Sequence, residues 1–461
     1  MDRKTGRGLF AGVATLMGCL LIGCVAQTPP AGPRVRAHEH VGEAGPSEKR
    51  RHATAEQVVD EPTGEMTLRQ ALALALVHNP ELTAHSFELR AHEARVLQAG
   101  VLPNPEISVE VENFGGSGEF SGTDVAETTV SLSQLVELGG KRARRRRVAE
   151  LERDLAGWDY ETARIDVLTR VAEAFVNVLA AQERVTLAAE LVRAGEAALA
   201  VVERQVEAGA VSTMERGRAQ VAIASSLVDL ERQRRALSAA RDELSLTWGR
   251  PEAPFSNVLG ALAADLERPP SVSELIERVD ANPDLARWAT ELSARRATVE
   301  LEQSRRIPDV TLGGGPRWHN VTDDNAFVFQ VAMPLPLFDR NQGAAEAARH
   351  DLGRAEQQRQ AAELRVHVSL TSAHGDLVAA YADVTSLRDD VLPIAERAYE
   401  DAASAYRRGV FRHLELLDAQ RTLFALRRDY IESLARYRAS LTRVERLVGG
   451  ALGYLVSEDG R

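Results

Sequence analysis

Cysteine is nearly absent from this chain. Its 461 residues hold two, Cys19 and Cys24, and both sit in a leader-like segment, so no structural disulfide is available to a processed chain. Aromatic residues make up only 5% and charged residues 27%, a balance that favours long helices and coiled-coil packing over a compact α/β enzyme core. Beyond the first 25 residues no apolar run reaches the ~18 needed for a membrane-crossing helix. Nor is positive charge in excess: the formal net charge is −11, which argues against a nucleic-acid partner. Also missing are a metal-spaced His/Cys cluster, a nucleophile elbow and a phosphate loop, since Gly313-Gly314-Gly315 falls in a predicted strand. An enzyme is not expected, and neither is a resident metal or cofactor.

What is present begins with a leader. Arg3, Lys4 and Arg7 precede an apolar stretch from Leu9 to Ile22, the pattern of an export signal. It closes on Leu21-Ile22-Gly23-Cys24, which resembles the bacterial lipobox, where the chain is cut before the cysteine and the thiol is acylated. Residues 1–23 therefore read as a lipoprotein signal peptide, with Cys24 the lipidation site. The lipobox pattern with Val25 after the cysteine implies sorting to the outer membrane. Residues 24–65, with Pro29-Pro30 and Gly32-Pro33 and no apolar period, read as a flexible tether.

Helical signal starts after Thr67, a good cap, and Asn79-Pro80 should break it before a second helix reaching about Leu102. Then the period changes. Ile107, Val109 and Val111 alternate with Ser108, Glu110 and Glu112, while Val130 and Leu132 alternate with Thr129, Ser131 and Ser133. Two strands, about 106–113 and 126–133, are expected around a Gly/Ser-rich loop. Gly139-Gly140 ends this hairpin. From Lys141 to about Glu207 apolar residues recur by threes, fours and sevens, predicting a rod on the order of 100 Å. Gly209 and Ser212 mark a tight turn, and a returning helix runs from Thr213 to about Trp248. Residues 249–271 read as a linker.

The second half repeats the first. Asn79-Pro80-Glu81-Leu82 is answered by Asn282-Pro283-Asp284-Leu285 at an offset of 203, and Gly209 with Ala219-Gln220 by Gly409 with Ala419-Gln420 at 200. Strands are expected at about 309–318 and 326–333, a second rod from Asn341 to Arg408, and a return from His413 to Leu447. Repeat 1 is placed at residues 66–260, repeat 2 at 261–450 and a short tail at 451–461. Four amphipathic strands of spanning length cannot close a barrel alone, because the smallest barrels have about eight. Either the hairpins cap a soluble bundle or several chains share one barrel, and a lipid anchor on an exported chain favours the shared barrel.

Residues 66–450 resemble the TolC-type outer membrane efflux proteins, and the run Asn104-Pro105-Glu106 through Val109 to Gly118, with Leu132-Ser133-Gln134 and Glu137 to Arg142, is similar to their CzcC- and CusC-like heavy-metal branch. The resemblance implies a mainly α fold with β: a homotrimer whose four strands per chain form a twelve-stranded transmembrane barrel above a coiled-coil α-barrel. It implies passive export of substrate, heavy-metal cations in this branch, with a periplasmic adaptor and an inner-membrane pump of the resistance-nodulation-division type as partners, and outer membrane lipid around the strands. A multidrug or type I secretion channel would share the fold, and a lipid-anchored helical scaffold is a weaker alternative.

Site residues follow from the same resemblance. Glu415 and Asp418 match the acids of the periplasmic constriction and Tyr406 an aromatic of the closing network, while Phe411 replaces an arginine. The turns at Gly209, Ser212, Gly409 and His413 would contact the adaptor. On the strands, Glu110 and Glu112 would face the lumen, with Gly139 and Gly140 as strand–helix joints. The basic run Lys141, Arg142 and Arg144 to Arg147 opposes its helix dipole and is expected to meet lipid headgroups or phosphates.

Overall fold

A computed structural model describes residues 61–450 except positions 265 and 409. In chain order its elements are β1 (Glu65–Met66), α1 (Leu68–His78), α2 (Pro80–Ala99), β2 (Glu106–Glu112), β3 (Glu127–Val136), α3 (Lys141–Glu207), α4 (Thr213–Leu246), β4 (Asn257–Val258), α5 (Val272–Ile276), α6 (Pro283–Ser304), β5 (Val310–His319), β6 (Asp324–Ala332), α7 (Gln342–Ser386), α8 (Leu392–Arg407) and α9 (His413–Val448). Among the described residues no helix is long and apolar enough to cross a membrane.

Caps set the helix starts. Thr67 and Gln70 form a reciprocal capping box ahead of α1. Asn79 accepts from the Leu82 amide through Oδ1 and donates through Nδ2 to the Thr247 carbonyl at 2.7 Å. In the second half Asn282 accepts from the Asp284 amide, and its Nδ2 donates to the Leu447 carbonyl, also at 2.7 Å. Each Asn-Pro pair thus starts one helix and fastens it to the far end of a returning helix. A proline in the first turn loses no bond, because that N–H has no helical acceptor.

The main core gathers around the middle of α3 and the ends of the returning helices. Val167, Val171, Val178, Leu244, Leu370, Leu377, Leu434, Tyr437 and Leu441 are all nearly or fully buried there. Residues 249–271 do not behave as the linker expected from their prolines. Phe255, Val258 and Leu262 enter that core, and β4 pairs in parallel with β1. Gln182 of α3 locks the segment by donating to the Val258 carbonyl and accepting its amide, at 3.1 and 2.8 Å. Arg438 and Tyr437 donate to the Leu262 and Glu267 carbonyls. Irregular backbone is tolerable inside a core once its polar groups have such partners. The end of the expected tether is also part of the fold: Glu65 pairs with Asn257, and the Trp248 indole donates to Glu61.

The rods differ from each other. Without an interior proline, α3 runs 67 residues unbroken, on the order of 100 Å at ~1.5 Å per residue. Its counterpart is interrupted by a π-turn at Leu387–Val391, where the Leu392 amide reaches back to the Leu387 carbonyl. Pro393 follows at once and cannot donate to the preceding turn, so the wider turn absorbs the mismatch. The predicted single helix is therefore α7 and α8.

Candidate functional site

Four strands form one antiparallel sheet in the order β2-β3-β5-β6. β3 runs three residues past its expected end, to Val136, because β5 continues beside it and pairs Val136 with Val310. β6 begins at Asp324, two residues early, as Asp323 takes a left-handed turn conformation. Alternation sorts the sheet into two faces. On one, Ile107, Phe327 and Phe329 are 75%, 74% and 69% exposed in the single chain, and Ile107 and Val109 stand opposite Leu132 and Val130. β2 and β6 each keep one edge unpaired. A sheet with an exposed apolar face and two open edges needs both covered.

The other face is polar and internally bonded. Ser108 and Ser131 share a hydrogen bond of 2.7 Å. Arg317 of β5 places its fork between two carboxylates, 3.1 Å from Glu112 and 3.1 Å from Glu127, while its Nε donates to Thr129. His319 lies 3.3 Å from Glu127. The two acids expected to line the lumen consequently differ: Glu112 is held by Arg317, whereas Glu110 is exposed and makes no ion pair among the described residues. Arg317 lies outside every motif, and only the register reveals it.

The strand–helix joint is a left-handed pair, Gly139 at φ +71° and Gly140 at +69°. A Cβ on Gly139 would sit 2.9 Å from Ile307 Cδ1 and 3.2 Å from the Ser304 carbonyl, whereas one on Gly140 meets nothing. Directly after them the fold takes up two members of the basic run. Lys141 is buried, its Nζ 2.7 Å from Asp309, and the same carboxylate accepts the Leu138 amide. Arg145 binds both oxygens of Glu137 and donates to the Ala99 carbonyl, while Arg146 and Arg147 pair with Glu150. Acids outside α3 thus hold Lys141 and Arg145, whereas Arg146 and Arg147 are more than half exposed and share Glu150 of their own helix.

At the far end of the rods a small core unites both turns. Val202 of α3, Ala219 of α4, Ala402 and Tyr406 of α8 and Leu416 of α9 are buried together. The Tyr406 hydroxyl donates to Gln205 Oε1 of α3 at 3.0 Å, and burial, with Glu215 adding to it, pushes its pKa above the ordinary phenol value. His413, expected on an outward turn, is instead 4% exposed, its ring centroid 5.6 Å from that of Tyr406. As the first residue of α9 it faces inward with Leu416 and Leu417, so it offers no surface to another protein. Glu415 and Asp418 share the opposite, exposed side, three residues apart. Gly209 takes φ +69° and Ser212 caps α4 through its backbone alone. Around these turns Met214, Val410, Phe411 and Leu414 are exposed. Cys24 and Gly409 lie outside the described residues. Among the described residues no group of three or more His, Cys, Asp or Glu side chains forms a metal site.

Two halves, each an amphipathic hairpin set on a helical rod, match a known family over residues 71–250 and 277–450: the outer membrane efflux proteins. The chain belongs to that family. This efflux protein is 34% identical to the cobalt-zinc-cadmium resistance protein CzcC of Cupriavidus metallidurans, over 84% of its own length and 91% of the relative's. It is 26% identical to the nickel-cobalt-cadmium resistance protein NccC of Alcaligenes xylosoxydans xylosoxydans, over 69% and 70%. In three dimensions it superposes on CusC, solved in a study of folding and transmembrane channel formation, with a TM-score of 0.69 over 83% of this chain and 92% of that one at 17% identity. The fold is that of the TolC-like channels. The efflux protein is an outer membrane component, and its family consists of trimeric channels that work with adaptor and pump partners rather than of known enzymes.

Proposed function

We propose that three copies of this efflux protein close a twelve-stranded barrel and form a passive duct for heavy-metal cations, driven by a resistance-nodulation-division pump through a periplasmic adaptor. Similarity to the cobalt-zinc-cadmium resistance protein along 91% of that relative's length is the observation that supports it most. Physical reasoning agrees. Open edges cannot remain in hydrocarbon, and edge-to-edge closure by three four-stranded sheets removes all of them. The exposed face of Ile107, Phe327 and Phe329 then meets lipid, and the face of Glu110, Glu112 and Arg317 lines the lumen. Two repeats, 66–260 and 261–450, each contribute one hairpin and one rod. No catalytic step is involved. Acylation of Cys24 anchors the chain to the membrane that its barrel crosses.

In this reading Glu415 and Asp418 form an acidic ring at the periplasmic constriction, and Tyr406 steadies it from behind. Exposed Met214, Val410, Phe411 and Leu414, beside Gly209, Ser212 and Gly409, supply the adaptor contact. A strain lacking the protein should lose tolerance to zinc, cobalt or cadmium salts, with restoration by the wild-type chain. Unchanged metal tolerance beside lost drug tolerance would transfer the cargo to the multidrug class. In planar bilayers the E415Q/D418N variant should lower cation preference; an unchanged reversal potential would remove these acids from the constriction.

A further inference from the structure

Both ring nitrogens of His413 are buried, and neither has a hydrogen-bond partner among the described residues. A neutral imidazole always offers one donor and one acceptor, so the site forgoes two bonds. We infer that His413 is a proton-sensitive wedge: neutral, it packs the two helical turns together, and protonated, it drives them apart.

The geometry leaves an imidazolium nowhere to place its charge. From α8 the neighbour is the neutral Tyr406 ring, whose hydroxyl is already committed to Gln205 of α3, itself neutral. From α4 the one acid that acts on the ring is Glu215, which is already paired with Arg218 at 2.8 Å. On its own helix Arg412 and Glu415 are exposed, as are Arg407 and Arg408 across the turn. Position adds a further penalty. His413 opens α9, where the helix dipole disfavours positive charge, and Arg412 supplies no side-chain cap. Burial pushes the His413 pKa below the ordinary imidazole value, with Glu215 pulling weakly the other way.

The direction of coupling follows from that depression. Packed turns bind the proton less well than separated turns, so packing is fully stable above the ordinary imidazole pKa of about 6.5. It weakens as pH falls below that value, by up to ~10-fold in the packing equilibrium per pH unit for one proton, until the packed-state pKa is reached. Acidification thus releases His413 from Tyr406 and separates α8–α9 from α3–α4, next to Glu415 and Asp418.

Hydrogen exchange of the full-length, detergent-solubilised protein tests this without reference to transport. Between pH 7.5 and 5.5, after correction for intrinsic exchange, peptides covering 199–219 and 399–420 should lose several-fold protection while the core around Leu377 and Leu441 does not. H413F and H413L fill the site without a proton-binding group, and either should keep the turns protected at pH 5.5. E215Q removes the one acid that helps the packed turns hold a protonated His413, so it should deepen the wild-type loss of protection at pH 5.5. Equal protection of the wild type at both pH values, or the same acid loss in both variants, would overturn the inference. Bilayer recordings then address the constriction separately: acid-opened turns with unchanged conductance would leave the wedge intact and refute the placement of the constriction there.

Discussion

Gly139 and Gly140 have nearly the same left-handed φ and very different surroundings, which makes them a controlled pair. Alanine at either must hold a left-handed φ, at a cost of about 1–2 kcal/mol. At Gly140 that is the whole effect, since an added Cβ meets nothing within 4 Å. At Gly139 the methyl also presses on Ile307 at 2.9 Å and on the Ser304 backbone oxygen at 3.2 Å. The isoleucine can turn, but the carbonyl belongs to the end of α6 and cannot, which adds overpacking of about 1–3 kcal/mol. With roughly 2 cal/mol/K of unfolding entropy per residue, a chain of this size loses on the order of 1 °C in Tm per kcal/mol. G140A should therefore lower the melting temperature of the solubilised protein by about 1–2 °C and G139A by about 2–5 °C. Asparagine sharpens the comparison, because it tolerates left-handed backbone: G140N should be nearly silent and G139N should not. Tryptophan-fluorescence melting of the four variants is sufficient. Equal shifts for G139A and G140A, or a silent G139N, would refute the argument that contact with α6 distinguishes the joint's two residues.

Two further outcomes follow from the polar contacts. Breaking the Lys141–Asp309 pair by K141M leaves a carboxylate poorly solvated at the joint and should destabilise the chain by about 3 kcal/mol; K141M/D309L should recover part of the loss, and an additive double variant would disprove the pairing. Y406F and Q205L each remove one side of a 3.0 Å bond while keeping the side-chain volume, so a double-mutant cycle on protection of the turns should show coupling of about 1 kcal/mol. A coupling indistinguishable from zero would mean that bond does not join α8 to α3.

Much of the architecture was legible in the sequence because it rests on local rules. Strict alternation at 107–111 and 310–312 specifies strands, three-four spacing specifies rods, Asn-Pro specifies helix starts, and the offset near 203 reports a duplication. Those signals depend on how each residue meets its nearest chain neighbours and on which face it must bury, so tertiary context does not alter them. Acidic residues on one strand face and at α9 were equally visible.

Other features arise only when distant segments meet. Residues 249–271 have the composition of a linker, and they become core because Gln182, Tyr437 and Arg438 satisfy their backbone. The basic run at 141–147 reads as a collar for phosphates, until the fold draws Lys141 to Asp309 and Arg145 to Glu137. Glu110 and Glu112 are indistinguishable by pattern, and the register separates them by delivering Arg317 from 205 residues away to one alone. His413 looks like an exposed turn residue because its neighbours in sequence are exposed. It is buried because the rods bring Tyr406 and Glu215 around it. Sequence determined which surfaces had to be covered; packing of the two halves decided which charges remain free to act, since desolvation and pairing are properties of neighbours the chain supplies only after it folds.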